Sequence, residues 1–142
     1  MCFSTSCQVS ELKCEGKHFV VHYPRSYSNG KDILDFLENH YRYFLELFLY
    51  GMPRNVSVIV VEGLSSAGIR GRALIGEYMI EVNASSWDCT PIRGVLLHEL
   101  THVWQMSRYN GRPWFNEGFA YLMPLVIFDI TGNTADRAIY LE

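Results

Sequence analysis

The chain has 142 residues, of which 49% are hydrophobic and 19% charged, and a formal net charge of −3. Such a length suits a single domain spanning 1–142, and the composition excludes intrinsic disorder and low-complexity tails. No apolar run approaches the ~18 residues of a membrane span, and no run of basic residues marks a nucleic-acid-binding surface, so neither partner is expected.

Residues 1–16 are polar and rich in cysteine, and read as a loose lead-in or a weak first strand. Cys2, Cys7, Cys14 and Cys89 match no zinc-ribbon or redox spacing. The first residues lack the basic and apolar segments of a secretory signal, which points to the cytoplasm and free thiols. A trimmed export signal would instead place the protein outside the cell, with a disulfide among the first three cysteines. Residues 18–23 are β-branched and aromatic and stop at Pro24, as in a strand. From 31 to 50, apolar residues at 33, 34, 37, 41, 44, 45 and 48 follow a helical repeat that Gly51 and Pro53 close. Residues 55–61 read as a second strand, 63–76 with four glycines as a loop or bulged edge strand, and 78–82 as a further strand. Thr90-Pro91, a hydroxyl cap followed by proline, opens a helix to about Tyr109, where Asn110-Gly111 stops it. Arg112-Pro113 opens another helix, which Pro124 is expected to kink or end for want of an amide donor. After the apolar run 125–130 and Gly132, Asn133-Thr134 caps a last short helix to Glu142. Strands first and helices last predict an α+β domain, with one small mixed or antiparallel sheet.

The helix from Thr90 contains His98-Glu99-Leu100-Thr101-His102. Histidines four apart share one helical face, with Cβ atoms ~5–6 Å apart, so both rings can reach one metal at the ~2.0–2.1 Å of a Zn–N bond. His102 lies ~40° from His98 around the helix and Glu99 a further ~60° on, close enough to a metal-bound water without being a ligand. Ile92, Leu96, Leu100 and Val103 form a separate arc suited to the sheet. By chance the five-residue pattern is expected about 0.01 times in a chain of this composition. Glu117 follows His102 after fourteen residues, one turn into the next helix, and supplies a third ligand. Three protein ligands leave one position for water, the arrangement of catalytic rather than structural zinc.

His98-Glu99-Leu100-Thr101-His102, followed by Trp114-Phe115-Asn116-Glu117-Gly118-Phe119-Ala120, resembles the gluzincin metallopeptidases, and its second segment is similar to that of the aminopeptidase N family. The resemblance covers about residues 90–123 and implies a zincin-like catalytic domain with His98, His102 and Glu117 on Zn2+ and Glu99 as general base. It further implies a peptide or protein substrate paired to an edge strand, and an oxyanion donor after the third ligand, for which Tyr121 and Tyr140 are the candidates. Two departures stand out: the His102–Glu117 gap is shorter than in aminopeptidase N, and only 25 residues follow Glu117. With no counterpart of the glycine-methionine-glutamate-asparagine motif, aminopeptidase specificity does not carry over. The compact length is closer to that of the single-domain minigluzincins or of the catalytic half of a peptidase.

The expected function is therefore a zinc-dependent peptidase. The alternative is a zinc-binding protein of the same fold that is inactive or latent, its cleft blocked or unformed. No motif specifies an oligomer or separates endo- from exopeptidase action. His18 and His22 read as half-buried strand residues and His40 as a helix flank. Arg70 and Arg72 read as solvated loop charges, and Trp87, Trp104, Tyr41, Tyr43, Phe44 and Phe48 as packing aromatics.

Overall fold

The structure, a computed structural model, describes residues 11–63, 70–74, 76–88, 90–108 and 113–142, with backbone alone at 108 and 113–115. Cys2, Cys7, Cys89 and the Asn110-Gly111 stop lie outside the described residues. Among the described residues, five strands and four helices follow in the order β1 (Glu11–Glu15), β2 (Phe19–Pro24), α1 (Gly30–Phe48), β3 (Val56–Val61), β4 (Gly71–Leu74), β5 (Met79–Asn83), α2 (Ile92–Arg108), α3 (Pro113–Thr131) and α4 (Thr134–Leu141). The class is α+β, as the sequence predicts.

The sheet is mixed, in the order β1-β2-β3-β5-β4. β1 and β2 form an antiparallel hairpin closed where the Gly16 amide donates to the Phe19 carbonyl at 2.8 Å. β2 and β3 run parallel, so the chain must cross over between them, and α1 is that crossover. β5 inserts between β3 and β4, parallel to the first and antiparallel to the second, which leaves β4 as an edge. The weak first strand expected within 1–16 is thus Glu11–Glu15, and the glycine-rich stretch contributes an edge strand at Gly71–Leu74. Cys14 in β1 has a free thiol.

Alternation along β2 and β3 buries Phe19, Val21, Val56, Val58 and Val60 beneath the helices. α1 packs on β2, and α2 packs on β4 and β5. The arc expected to face the sheet from α2 does so, with Ile92, Leu96, Leu100 and Val103 all buried. On α1 the core arc takes Phe36 rather than Leu45, which is 43% exposed. Leu45 sits ~20° past Leu34 on the helical wheel, beyond the edge of the buried arc, while Phe36 closes its other side and meets Trp87 edge-on at 5.7 Å.

Trp104, fully buried, joins α1 to α2. Its ring lies 5.0 Å from Tyr41, 5.1 Å from Phe44 and 5.9 Å from Phe48. Its Nε1 donates to the Tyr50 carbonyl at 3.0 Å, and the Tyr50 hydroxyl donates back to the Trp104 carbonyl at 3.0 Å.

One expectation about helix ends is corrected, and of the two outcomes expected at Pro124, a kink or an end, the end does not occur. Thr90 does not cap α2: its hydroxyl turns back to the Ser86 carbonyl, and the first helical bond runs from the Val95 amide to Pro91. Pro124 does not end α3, which continues to Thr131. Proline deprives the carbonyl four residues earlier, that of Ala120, of its helical donor, at a place where the His98 imidazole of α2 comes close to the backbone. The last helix is capped as expected, with the Asn133 side chain accepting from the Asp136 amide at 3.1 Å. Among the described residues no helix is long and apolar enough to cross a membrane.

Trp104→Ala is expected to destabilise the fold by about 3–5 kcal/mol, seen as a lower denaturation midpoint at unchanged slope.

Candidate metal centre

α2 carries His98 and His102 one turn apart, and α3 returns beside it with Glu117 near its start. The two imidazoles stand 5.0 Å apart between centroids and nearly perpendicular, at 77°. Their Nε2 atoms both point at Glu117: Oε1 is 3.0 Å from His98 Nε2 and Oε2 is 3.1 Å from His102 Nε2. The three ligand atoms lie within 4.8 Å of one another, and this is the one group of three or more potential ligands among the described residues. Both imidazoles are mostly buried, whereas the Glu117 side chain is 66% exposed and forms the open side of the site.

The hydrogen bonds behind the rings test whether a cation fits between them. Gln105, buried one turn beyond His102, donates its amide nitrogen to the Asn116 carbonyl at 3.2 Å. That bond fixes its oxygen toward His102 Nδ1, also at 3.2 Å. An amide oxygen only accepts, so Nδ1 carries the ring proton. Nε2 of the neutral ring is then a bare lone pair 3.1 Å from a carboxylate oxygen. Acceptor facing acceptor is unfavourable unless a positive charge lies between them, either a second proton on the ring or a metal ion. The residues present therefore fit a cation held by His98, His102 and Glu117. On His98, burial first and the adjacent His102 second push the imidazole below its ordinary pKa, which keeps a lone pair available at neutral pH.

Glu99 is buried beside this group. Burial, reinforced by the charge of Glu117, raises its carboxyl to about 7, and a hydrogen bond from the backbone of Ala73 pulls the other way. That bond comes from the sheet edge. The Asn83 amide donates to the Arg70 carbonyl at 3.0 Å, so in the antiparallel register Gly71 and Ala73 turn their main-chain groups away from β5. Gly71 is needed there, because a Cβ would meet Val95 Cγ1 at 2.8 Å and Glu99 Cγ at 3.3 Å. A groove of about 380 Å³ runs between residues 71–73 of β4 and the His98, His102 and Glu117 face.

The four core residues of the motif therefore come together. Two tyrosines are expected as oxyanion donors. The Tyr140 hydroxyl is 3.0 Å from His98 Nδ1, on the side of the ring away from Glu117. Tyr121 is 46% exposed, with its ring 5.4 Å from that of Tyr140. Arg72 is solvated as expected, though it lies on a strand and pairs with Glu81, and Arg70 is exposed. His18 is structural: its Nδ1 pairs with Glu38 at 2.9 Å and its ring stacks on Tyr41 at 3.6 Å. His22 stands 3.9 Å from Glu11, and His40 bonds the Phe36 carbonyl at 2.7 Å. The side chains of Trp114 and Phe115 lie outside the described residues. Gln105 is the site residue that motif reading misses. Its spacing of three from His102, which puts both on one helical face, is the signal that could have found it.

No protein-family model matches the chain, and no curated protein matches it.

Titration of metal-free protein with a divalent transition metal is expected to saturate at one ion per chain, with binding lost in His98→Ala and Glu117→Ala. Metal at a hundred times Kd should raise stability by about 2.7 kcal/mol in the wild type alone, read as a shift in thermal midpoint.

Proposed function

We propose that the protein is a zinc-dependent peptidase with a zincin-like catalytic domain of the gluzincin type, in which Glu99 is the general base. The observation that carries the reading is the convergence of two imidazoles and one carboxylate at the mouth of a groove, with a second, buried carboxylate beside them. Two nitrogen ligands and one oxygen ligand suit zinc, and a three-ligand protein set suits a catalytic rather than a structural ion. When bound, zinc supplies a Lewis acid and a water acidified to a pKa of about 7.

The chain's own residues account for the remainder. Glu99 takes a proton from the attacking water and returns it to the departing amine. Its raised pKa suits that shuttle, since a base matched to neutral pH both accepts and releases the proton readily. The Ala73 main chain keeps the carboxylate at the groove instead of letting it turn into the core. Gly71 and Ala73 turn main-chain groups away from β5, toward which an extended peptide can align as an added strand. The groove has room for such a peptide between β4 and α2.

Cleavage of a quenched peptide library should be detectable with the zinc-loaded wild type. It should fall by about 10²–10⁴-fold in Glu99→Gln, with one zinc per chain retained. Full turnover in that variant would remove Glu99 as the base. Zinc binding without turnover in the wild type would favour the latent reading.

A further inference from the structure

A polar group from far along the chain faces the rear of His98. Tyr140 on α4 places its hydroxyl 3.0 Å from His98 Nδ1. Three features hold it there. Gly94, one turn before His98, leaves a notch that the phenol ring fills, so that a Cβ would stand 2.2 Å from Tyr140 Cδ1. Arg93 pairs with the buried Asp136 at 3.0 Å while its guanidinium lies 4.3 Å above the Trp87 ring. Arg137 reaches Asp129 on α3 at 2.9 Å.

The chemistry of the contact depends on which nitrogen bears the proton. With no cation, His98 Nε2 faces a carboxylate and is served best by carrying the proton, which leaves Nδ1 to accept from the phenol. A metal ion needs the Nε2 lone pair, so the proton must sit on Nδ1 and be accepted from behind. A hydroxyl can do either, donating in the first state and accepting in the second, whereas a carboxylate or an amide oxygen only accepts. A phenol keeps its proton at neutral pH and so retains both roles.

We propose that Tyr140 is a positioning residue of the metal centre, which stabilises the Nδ1-protonated form of His98 and makes α4 a component of the site rather than a terminal appendage. The inference rests on the metal-binding half of the proposed function and is independent of peptide cleavage. Metal-ligating histidines depend on such rear partners, whose loss weakens metal affinity about 10–100-fold. Because coupling between binding and docking is reciprocal, metal should in turn hold α4 in place.

The test is Zn2+ affinity of the full chain, measured by competition with a chromophoric chelator, for wild type, Tyr140→Phe and Gly94→Ala. Tyr140→Phe removes only the hydroxyl, and Gly94→Ala keeps it but displaces the ring. Both should bind Zn2+ about 10–100-fold more weakly, while the metal-free unfolding midpoint of Tyr140→Phe stays at the wild-type value. In zinc-loaded wild type, nitrogen-15 NMR should show His98 protonated at Nδ1 with slow proton exchange, a readout that needs no variant. Tyr140→Phe binding within twofold of wild type, or a rapidly exchanging Nδ1 proton, would overturn the proposal. A wild type that takes up no metal would overturn it together with the proposed function, whereas normal uptake with unchanged variants overturns this inference alone.

Discussion

Both oxygens of the Glu117 carboxylate are engaged at about 3 Å by imidazole nitrogens from the neighbouring helix, and most of the surrounding architecture follows from holding that convergence. Two rings one turn apart on α2 form a fixed fork, but a third ligand from α3 requires the helices to keep one separation and one rotation. The core supplies that constraint at a distance. Trp104, two residues beyond His102, is fully enclosed by aromatics of α1 and tied by two hydrogen bonds to Tyr50. Phe119, two residues beyond Glu117, meets Phe48 of the same aromatic group at 5.7 Å. A single aromatic cluster therefore anchors α2 and α3 immediately behind their ligands, and close packing resists the small shifts that would separate them.

Polar groups near the site are arranged around the same constraint. Gln105 acts on two elements at once, orienting His102 and fastening the backbone that leads into Glu117. Pro124 leaves a carbonyl in α3 without its helical donor, at a place that the His98 imidazole approaches.

On the opposite wall, the sheet edge and the buried Glu99 depend on a missing side chain. β4 approaches α2 closely enough for the Ala73 main chain to bond Glu99 because Gly71 has no Cβ to hold the layers apart. The same closeness takes Glu99 out of water and raises its pKa. Strand placement and carboxylate basicity are thus one geometric fact: the groove lies where the chain has run out of strands to pair.

By itself the sequence determined much of what is set by spacing along one element. The four-residue interval of His98 and His102 put both rings on one face, the apolar arc of Ile92, Leu96, Leu100 and Val103 pointed to the sheet, and glycine and proline marked most ends. These are legible because helix and strand periods are local and independent of the partner. Only the tertiary structure decided what spans elements: which strand is the edge, that α3 survives Pro124, that Gln105 reaches Asn116, and that Tyr140 meets His98 across 42 positions of chain. Such contacts depend on interhelical distances set by the whole core, and a tyrosine near the chain end carries no local mark of the ring it will face. The separation is physical: periodicity decides which side chains share a face, and packing decides what that face meets.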